Sequence, residues 1–350
     1  MSVLALGTVL LSIAALIARA LPLTNVVSLV FAVSAPYLFV VALVGLVLSL
    51  STRRITLVVV ALVTLVLALA VPGSWYFTGR APSQPAASKT VELRVLASNL
   101  RKGQADATHF VRLASAHADV IKVSELTPDV TKRLVSAGIT ADFPHSLLKP
   151  EPDASGIGIW SRYPLTAVEP AKRNHVSLIA GRMRIPGLEA DPLVVSLHIT
   201  SPVTAESGSF RRWQSGIAHA KSNLNHFAQV AGPAAVIASG DFNSTPDMRQ
   251  FRDLLTDGYR DAAAQVGALW EPTFPSRHWF PPLITIDHVL TRNASASSLK
   301  TVKVPGSDHM ALLATVQIPM HSPAADEAAG SFVQVKPWGV PGAAGDARGS

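Results

Sequence analysis

The chain has 350 residues, of which 49% are hydrophobic and only 15% are charged, and its formal net charge is +7. About a quarter of the residues in soluble proteins are charged, so the composition excludes an ordinary soluble protein over the whole length. The chain contains no cysteine, which excludes disulfides and thiolate-bound zinc. The basic balance suits either a nucleic acid or an anionic lipid and does not choose between them.

The apolar excess lies in residues 1–80, where Arg19, Arg53 and Arg54 are the only charged side chains before the last position. A cleaved signal peptide is disfavoured because no basic residue precedes Arg19. A helix needs about 20 apolar residues to cross the hydrocarbon core of a bilayer. The pattern therefore predicts about three transmembrane helices, at 3–20, 27–50 and 55–72.

The short loop that carries Arg53 and Arg54 sets the expected orientation. Loops rich in Lys and Arg tend to stay in the cytoplasm, so the third helix would run outward. Arg19 and Arg80 would then lie on the outer side, against the same tendency. The aromatic stretch "SWYF" at 74–77 suits the membrane interface. We predict a multi-pass protein of the cell membrane whose remaining domain is extracytoplasmic.

Beyond the apolar helices the composition changes twice. Residues 81–90, "APSQPAASKT", are typical of a linker, and residues 319–350, rich in Ala, Gly, Ser and Pro, predict a disordered tail. Between them, residues 91–318 alternate short β-branched runs with helical segments, which predicts one α/β domain. Strands are predicted at 91–99, 118–125, 156–162, 192–200, 234–243, 284–291 and 310–318, and helices at 105–118 and 209–230.

Several of the predicted strands end or begin with a polar side chain that could do chemistry. Loops at strand ends on one edge of a layered sheet are common places for a site. Taken singly, each residue has a plainer interpretation as a turn residue, a helix-start acid or a core histidine. Taken together, their types complement one another and indicate one site. The candidates are Asn99, Glu125, His198, Asp241, Asn243, Asp287, Asp308 and His309.

Some of these candidates suit metal binding and water activation. Glu125 with Asp308 or Asn99 offers hard oxygen ligands of the kind that Mg²⁺ prefers. Asp241, within "SGDFN", could orient and deprotonate a water molecule. Hydrolysis of a phosphate ester or anhydride is the reaction that uses these parts together.

The other candidates could stabilise charge on a phosphoryl group. Asp287 could hold His309 in one tautomer, as a carboxylate does for a catalytic imidazole. His198, His309 and Asn243 could then donate hydrogen bonds to phosphoryl oxygens as negative charge develops.

In chain order, the motifs "ASN", "SEL", "GIGIWSRYPL", "VSLHI", "SGDFNSTP", "IDHVL" and "GSDH" resemble the endonuclease/exonuclease/phosphatase superfamily, which has the DNase I-like fold. The resemblance spans residues 91–318. It implies a four-layer α/β sandwich, with two packed sheets flanked by helices and Mg²⁺ or Mn²⁺ at one edge.

The resemblance also implies roles for individual residues. Glu125 is similar to the family's metal carboxylate, with Asn99 beside it and Asp308 as the second acid near the metal. Asp241 is similar to the residue that activates water, and Asn243 to its phosphate-orienting companion.

Asp287 and His309 resemble the family's Asp–His pair, and His198 matches a position where some members carry histidine. Two positions depart from the usual family pattern. Ser124 stands where Gln is common, and His288 stands where Tyr is frequent, either for packing or for a substrate contact.

The whole architecture is similar to membrane-anchored members of the superfamily, among them actinobacterial proteins associated with glycopeptide resistance. This similarity implies a lipid-linked phosphate as the substrate. A membrane-anchored nuclease is the alternative, although no basic run or aromatic-and-basic insertion supports it. An inactive scaffold that binds partners is a third hypothesis. The apolar loop "RHWFPPL" at 277–283 would either touch lipid or pack on the domain.

Overall fold

The computed structural model describes residues 1–76, 89–171, 176–268, 271–276 and 279–321. Most of the predicted linker at 81–90 and of the predicted tail at 319–350 lies outside the described residues. The described end of that tail, through Pro319, belongs to the last strand of the domain.

Four helices precede the domain: α1 (Ser2–Ala20), α2 (Val26–Ser34), α3 (Phe39–Leu50) and α4 (Ile55–Tyr76). Helix α1 and the Ile55–Gly73 part of α4 are each long and apolar enough to cross a membrane. A third crossing results if α2 and α3 are counted as one broken span.

The expectation of one continuous helix over 27–50 is wrong. Helices α2 and α3 are bent by 75°, and a 3₁₀ turn at Ala35–Tyr37 separates them. Pro36 in this turn has no N–H to donate, and its ring clashes with the preceding helical turn. The proline therefore ends α2 and lets the chain change direction.

The N-terminal helices pack with small residues inside and large residues outside. Their buried positions include Ala5, Ser12, Ala15, Ala42, Gly45, Ser49, Ala61 and Ala68. Leu10, Val47 and Leu62, in contrast, are about half exposed. This is the reverse of a soluble core, and small residues at helix contacts are the pattern of helices that pack in lipid.

Within the described part of the chain, the following strands form two six-stranded sheets. The first sheet has the order β11 (Ser295–Lys303), β12 (Met310–Pro319), β1 (Thr90–Asn99), β2 (Val120–Ser124), β4 (Ile157–Ser161) and β3 (His145–Lys149). The second has the order β5 (Leu165–Val168), β6 (Val176–Met183), β7 (Leu193–Ile199), β8 (Val236–Asp241), β10 (Asp287–Arg292) and β9 (Arg260–Asp261).

Helices cover the outer faces of both sheets, which confirms the four-layer α/β sandwich. Apolar clusters join the first sheet to α5 (Ala107–His117), α6 (Pro128–Ser136) and α7 (Ile139–Asp142), and the second to α8 (Ser209–Ala231) and α9 (Arg249–Arg252). The last helix is α10 (Ala262–Val266), and it packs beside β11.

The strands carry near-continuous apolar runs because both of their faces are buried. In β1, Val95 packs between the two sheets while its neighbour Leu96 packs against the helices. Helix α5 begins where the Asp106 side chain accepts a hydrogen bond from the His109 N–H at 2.9 Å, as an N-cap does. Each strand predicted from the sequence is present, whereas β3, β5, β6, β9 and β11 were not foreseen.

We expect Gly45→Leu to destabilise the N-terminal bundle. A Cβ atom at Gly45 would lie 2.8 Å from Thr8 Oγ1, so α1 and α3 would have to separate, at a cost of about 1–3 kcal/mol. Gly7→Leu is the matched control, because nothing lies within 4 Å of its Cβ position. Thermal denaturation in detergent should show a lower midpoint for the first variant only; equal midpoints would contradict the close packing.

Candidate active site

The sheet topology brings the polar strand ends to one edge of the sandwich. Strands β1 and β2 are parallel, and so are β7 and β8, so their carboxyl ends share that edge. Strands β10 and β12 run antiparallel to β8 and β1, so they begin where the others end. The residues delivered there are Asn99, Glu125, His198, Asp241, Asp287, Asp308 and His309.

Asp241 lies at the centre of the site and is 1% exposed. Its Oδ2 atom accepts a hydrogen bond from Asn99 Nδ2 at 3.0 Å, and its Oδ1 atom accepts one from the Asn243 backbone N–H at 2.8 Å. His198 Nε2 and His309 Nε2 approach Oδ2 to 3.6 and 3.8 Å. One buried carboxylate therefore contacts groups from several strand ends.

Glu125 is linked to this centre through Asn99, whose Nδ2 donates to Glu125 Oε1 at 3.1 Å. Arg101 and Lys102 have positive φ angles of 49° and 47°. Their N–H groups donate to Asn99 Oδ1 at 2.8 Å and to Glu125 Oε2 at 2.7 Å. The left-handed turn thus aims two backbone donors at the two side chains and fixes their orientation.

Glu125 and Asn243 also have positive φ angles, of 56° and 46°. Backbone conformations that L-residues rarely adopt cluster at functional sites, where the surrounding structure holds them. Glu125 is the first residue after β2 and Asn243 is the second residue after β8, so these turns direct both side chains toward the site.

Asp287 and His309 form a buried pair, with His309 Nδ1 2.8 Å from Asp287 Oδ2. The Phe274 ring packs on the imidazole, with centroids 4.9 Å apart. Thr273 Oγ1 accepts hydrogen bonds from the backbone N–H groups of Ile286 and Asp287. The imidazole is consequently fixed on one side, and its Nε2 atom faces Asp241.

His198 is oriented by Ala154, whose carbonyl oxygen lies 2.9 Å from Nδ1. Because a carbonyl only accepts, Nδ1 carries the proton in this contact. Asn243 Nδ2 lies 3.4 Å from His198 Nε2 and donates to the Ile199 carbonyl at 2.8 Å. These contacts hold the amide and the imidazole side by side next to Asp241.

The electrostatics of the site raise the pKa values of Asp241 and His309. Burial, helped by the nearby Asp287 carboxylate, raises the pKa of Asp241 to about 6. Burial lowers the pKa of His309, but the Asp287 and Asp241 carboxylates outweigh this effect and raise it to about 10. At neutral pH, Asp241 is therefore ionised and basic, whereas His309 carries a proton.

Two groups of residues offer metal-ligand atoms. Ligand atoms of Asp241, Asp287 and His309 all lie within 4.8 Å of one another. Asp308, predicted as a metal ligand with Glu125 and Asn99, is partly exposed at the rim, where Arg101 Nε lies 3.6 Å from its Oδ2. The structure thus brings every predicted site residue to this edge but leaves the Asp308 carboxylate facing a guanidinium.

Some functional neighbours were not predicted from the sequence. Ser307 Oγ donates to the Asn99 carbonyl at 2.7 Å and accepts from the His309 N–H at 3.0 Å, which ties β1 to β12. It lies within the "GSDH" motif, so its position was a usable signal. Thr273 contacts the backbone before and at Asp287, and the Ala154 carbonyl contacts His198; no sequence pattern predicts these contacts.

His288, left open between packing and a substrate contact, is a packing residue. It is 2% exposed, and its ring nitrogens lie 2.6 Å from Asp261 Oδ2 and 2.9 Å from the Ser244 carbonyl oxygen. Its ring also packs on the Phe251 ring, with the two ring centroids 4.0 Å apart. His288 therefore supports the loop after β8 from within the core.

The fold and the site define a DNase I-like phosphoester hydrolase. The chain belongs to the endonuclease/exonuclease/phosphatase family, which it matches over residues 83–309. No curated protein sequence matches it.

Solved structures with a similar fold come from bacteria and from an animal. A family protein from Bacteroides thetaiotaomicron is 14% identical, with a TM-score of 0.50 over 66% of this chain and 99% of that chain. TDP2 from Caenorhabditis elegans is 12% identical, with a TM-score of 0.50 over 64% of this chain and 75% of that one. The protein from Beutenbergia cavernae DSM 12333 is 20% identical, with a TM-score of 0.48 over 65% and 72%. The two likenesses with a TM-score of 0.50 show the fold alone.

We expect Asp287→Asn to lower the pKa of His309. The substitution removes a negative charge that favours the imidazolium and leaves the opposing effect of burial, so the pKa should fall by about 1–3 units. NMR titration of ¹³C-labelled histidines, assigned with His309→Gln, measures the change. Asp261→Asn, which alters the His288 pair instead, should leave the His309 titration unchanged; an unaltered titration in Asp287→Asn would contradict the pairing.

Proposed function

We propose that this protein is a membrane-anchored, metal-dependent phosphohydrolase that cleaves a phosphate ester or anhydride of a lipid-linked substrate. The observation that carries the proposal is the environment of Asp241. It is a buried carboxylate with a pKa near 6, held by Asn99 and approached by two imidazoles. A base of this strength, surrounded by hydrogen-bond donors, suits the activation of water beside an anionic group.

The residues present fit a divalent cation with oxygen ligands, either Mg²⁺ or Mn²⁺. Each oxygen of Glu125 accepts one hydrogen bond, and a carboxylate retains further lone pairs for a cation. Asn99 and Asp308 are the other proposed ligands. When bound, the cation would supply Lewis-acid stabilisation of the phosphoryl charge.

The protein's own side chains would carry out the proton and charge steps. The water oxygen bonds to phosphorus as the bond between phosphorus and the leaving oxygen breaks, and the leaving oxygen departs with the bonding electrons and takes a proton from solvent. Asp241 accepts the proton of the attacking water, because its pKa of about 6 leaves it ionised at neutral pH. His309 is protonated and donates Nε2–H toward a phosphoryl oxygen, while Asp287 holds its Nδ1–H. His198 and Asn243 border the same space and would orient the phosphate as charge develops.

The N-terminal helices support the membrane part of the proposal. Their outer surfaces are large and apolar, and their contacts use small residues, as in lipid-embedded bundles. Tethering would confine the active site near the bilayer and raise the effective concentration of lipid substrates. The loop with Arg53 and Arg54 favours a cytoplasmic position for that end and an extracytoplasmic position for the catalytic domain.

The test is phosphate release by the full chain in nanodiscs with Mg²⁺, for polyprenyl pyrophosphate, sphingomyelin, a phosphoinositide and single-stranded DNA. We expect a lipid substrate to be hydrolysed faster than DNA. Faster cleavage of DNA would favour the nuclease alternative. If no substrate is cleaved and Mg²⁺ does not raise the melting temperature, an inactive scaffold would replace the proposal.

Asp241→Asn should lower the hydrolysis rate by about 10³-fold, because a neutral amide cannot accept the proton from water. Asp129→Asn is the matched control, since Asp129 is exposed and pairs only with Arg133 on α6. The measurement is the initial rate of hydrolysis by each of the two variants at saturating Mg²⁺. Comparable activity of both would remove Asp241 from the role of base.

Glu125→Gln should raise the Mg²⁺ concentration needed for half-maximal rate by about tenfold or more, because a charged oxygen ligand is lost. The control is Glu206→Gln, which removes an exposed carboxylate paired with Arg212. The hydrolysis rate of each variant is measured as a function of Mg²⁺ concentration. Identical Mg²⁺ dependence in both variants would show that Glu125 does not bind the cation.

A further inference from the structure

Residues 19–25, the end of α1 and the turn before α2, contact the catalytic domain through two buried side chains, Arg19 and Leu23, while the other residues of this segment are exposed. Leu23 is 1% exposed and belongs to the apolar core that also contains Trp213 and Phe251. Its carbonyl oxygen accepts hydrogen bonds from Gln214 Nε2 and Gln250 Nε2, both at 3.0 Å. Core packing and hydrogen bonds therefore fix the helices to the domain at this point.

A buried ion pair strengthens the junction. Arg19 Nε lies 2.7 Å from Asp247 Oδ1, and the two side chains are 10% and 1% exposed. Arg252 donates to the Arg19 carbonyl at 2.5 Å and to the Pro246 carbonyl at 2.8 Å. A buried charge without its partner is strongly unfavourable, so the pair resists separation of the helices from the domain.

The junction contacts the loop that contributes residues to the active site. Asp247 lies in the "DFNSTPD" segment that begins with Asp241 and also contains Asn243. The position of α1 and the position of the proposed base are consequently set by the same short stretch of chain.

Next to this junction the molecule presents an apolar surface to its surroundings. Helix α2 buries Leu29 and Ala32, which belong to the same apolar cluster as Leu23, and exposes Val27 and Val30. The Tyr37 hydroxyl, after α2, donates to the Leu283 carbonyl.

The Tyr37 contact joins α2 to the described end of the predicted apolar loop, residues 279–283. In this loop Trp279 is 81% exposed and Phe280 is 42% exposed. Leu283 N–H donates to the Phe274 carbonyl at 2.9 Å, and the Phe274 ring packs on His309. The exposed aromatic residues therefore lie at the rim of the active site, on the side of the apolar helices.

We propose that the Arg19–Asp247 pair and the buried Leu23 side chain clamp the catalytic domain to the membrane helices, so that Trp279 and Phe280 enter the bilayer interface and the active site meets phosphate groups at headgroup level. This inference rests on the membrane insertion in the proposed function. The occupant of the apolar surface is the lipid bilayer, because that surface continues directly into the apolar helices, and aromatic side chains favour the membrane interface.

The clamp also bears on the orientation of the helices. Segment 19–25 is attached to the domain, and α3 leads away from Tyr37, so Arg53 and Arg54 lie at the opposite end of the bundle. Arg19 is neutralised by Asp247 and does not act as a free positive charge. It therefore no longer opposes an orientation in which Arg53 and Arg54 are cytoplasmic.

Since the chain lacks cysteine, a single introduced cysteine can carry an environment-sensitive fluorophore. We expect the label at Trp279→Cys, in nanodiscs of phosphatidylcholine and phosphatidylglycerol, to emit at shorter wavelength and to be quenched by brominated lipid. The label at Val135→Cys, an exposed apolar position on α6, should be quenched by aqueous iodide instead. Equal iodide quenching at both positions would overturn the proposal.

The clamp is tested by adding Arg19→Gln, or Arg19→Gln with Asp247→Asn, to the Trp279→Cys protein. The double variant leaves no unpaired buried charge and guards against misfolding of the single one. We expect iodide quenching at 279 to rise several-fold in both. Arg211→Gln with Asp129→Asn, which changes exposed charges of the same types away from the junction, should have no effect. Unchanged quenching in the folded double variant would exclude the ion pair as the clamp.

Hydrolysis of bis(p-nitrophenyl) phosphate, a soluble phosphodiester, is measured on the same labelled samples. Hydrolysis with the 279 label in water would overturn the membrane clamp and leave the proposed hydrolase intact. A lipid-embedded label without hydrolysis of this compound or of any lipid phosphate would support the clamp and overturn the hydrolase.

Discussion

The Asp241 carboxylate is held almost entirely out of water, and the architecture of the site follows from that constraint. An isolated buried carboxylate is strongly unfavourable, so its oxygens accept hydrogen bonds from Asn99 and from the Asn243 N–H. The two nearby imidazoles offset the charge further. Burial and the Asp287 carboxylate raise the pKa of Asp241, whereas the imidazoles and the Asn243 N–H oppose the rise, and the balance at about 6 suits a base at neutral pH.

The positive partner of this carboxylate depends on it in turn. His309 would lose its proton through burial alone, but Asp287 and Asp241 favour the charged form. The charged form of His309 is consequently favoured only while the two carboxylates are present, and the three groups come from β8, β10 and the residue before β12. Correct alignment of the two sheets is therefore a condition for both stability and chemistry.

The molecule combines two packing rules that suit different solvents. The sandwich buries large apolar side chains, whereas the N-terminal helices bury Ala, Gly and Ser and expose Leu and Val. The two parts meet where Leu23 and Leu29 enter the domain core and where Arg19 pairs with Asp247. A polar pair at such a junction specifies one arrangement more sharply than apolar contact, because a misaligned charge finds no partner.

The sequence by itself determined the class of fold and most of the strands, and it supplied the candidate residues that the fold brings to one edge. Alternation of strands and helices, and polar residues at strand ends, are local signals, and the order of the motifs along the chain supplied the resemblance to the family. Pro36 in the sequence was a signal for the bend, but the long apolar run led to the prediction of a single helix over 27–50. Strands such as β3 and β5 were missed because they are short and half exposed, so their apolar pattern is weak.

Only the tertiary structure decided how these residues interact. The Asn99–Asp241 hydrogen bond joins residues 142 positions apart, the contact of Asp308 with Arg101 depends on loop geometry, and the Arg19–Asp247 pair spans 228 positions. Sequence periodicity reports which face of an element is apolar, but it carries no information about which distant element meets that face. The pKa values of Asp241 and His309 depend on contacts between residues that are far apart in the sequence. The chemistry of the site could therefore be derived only from the three-dimensional structure.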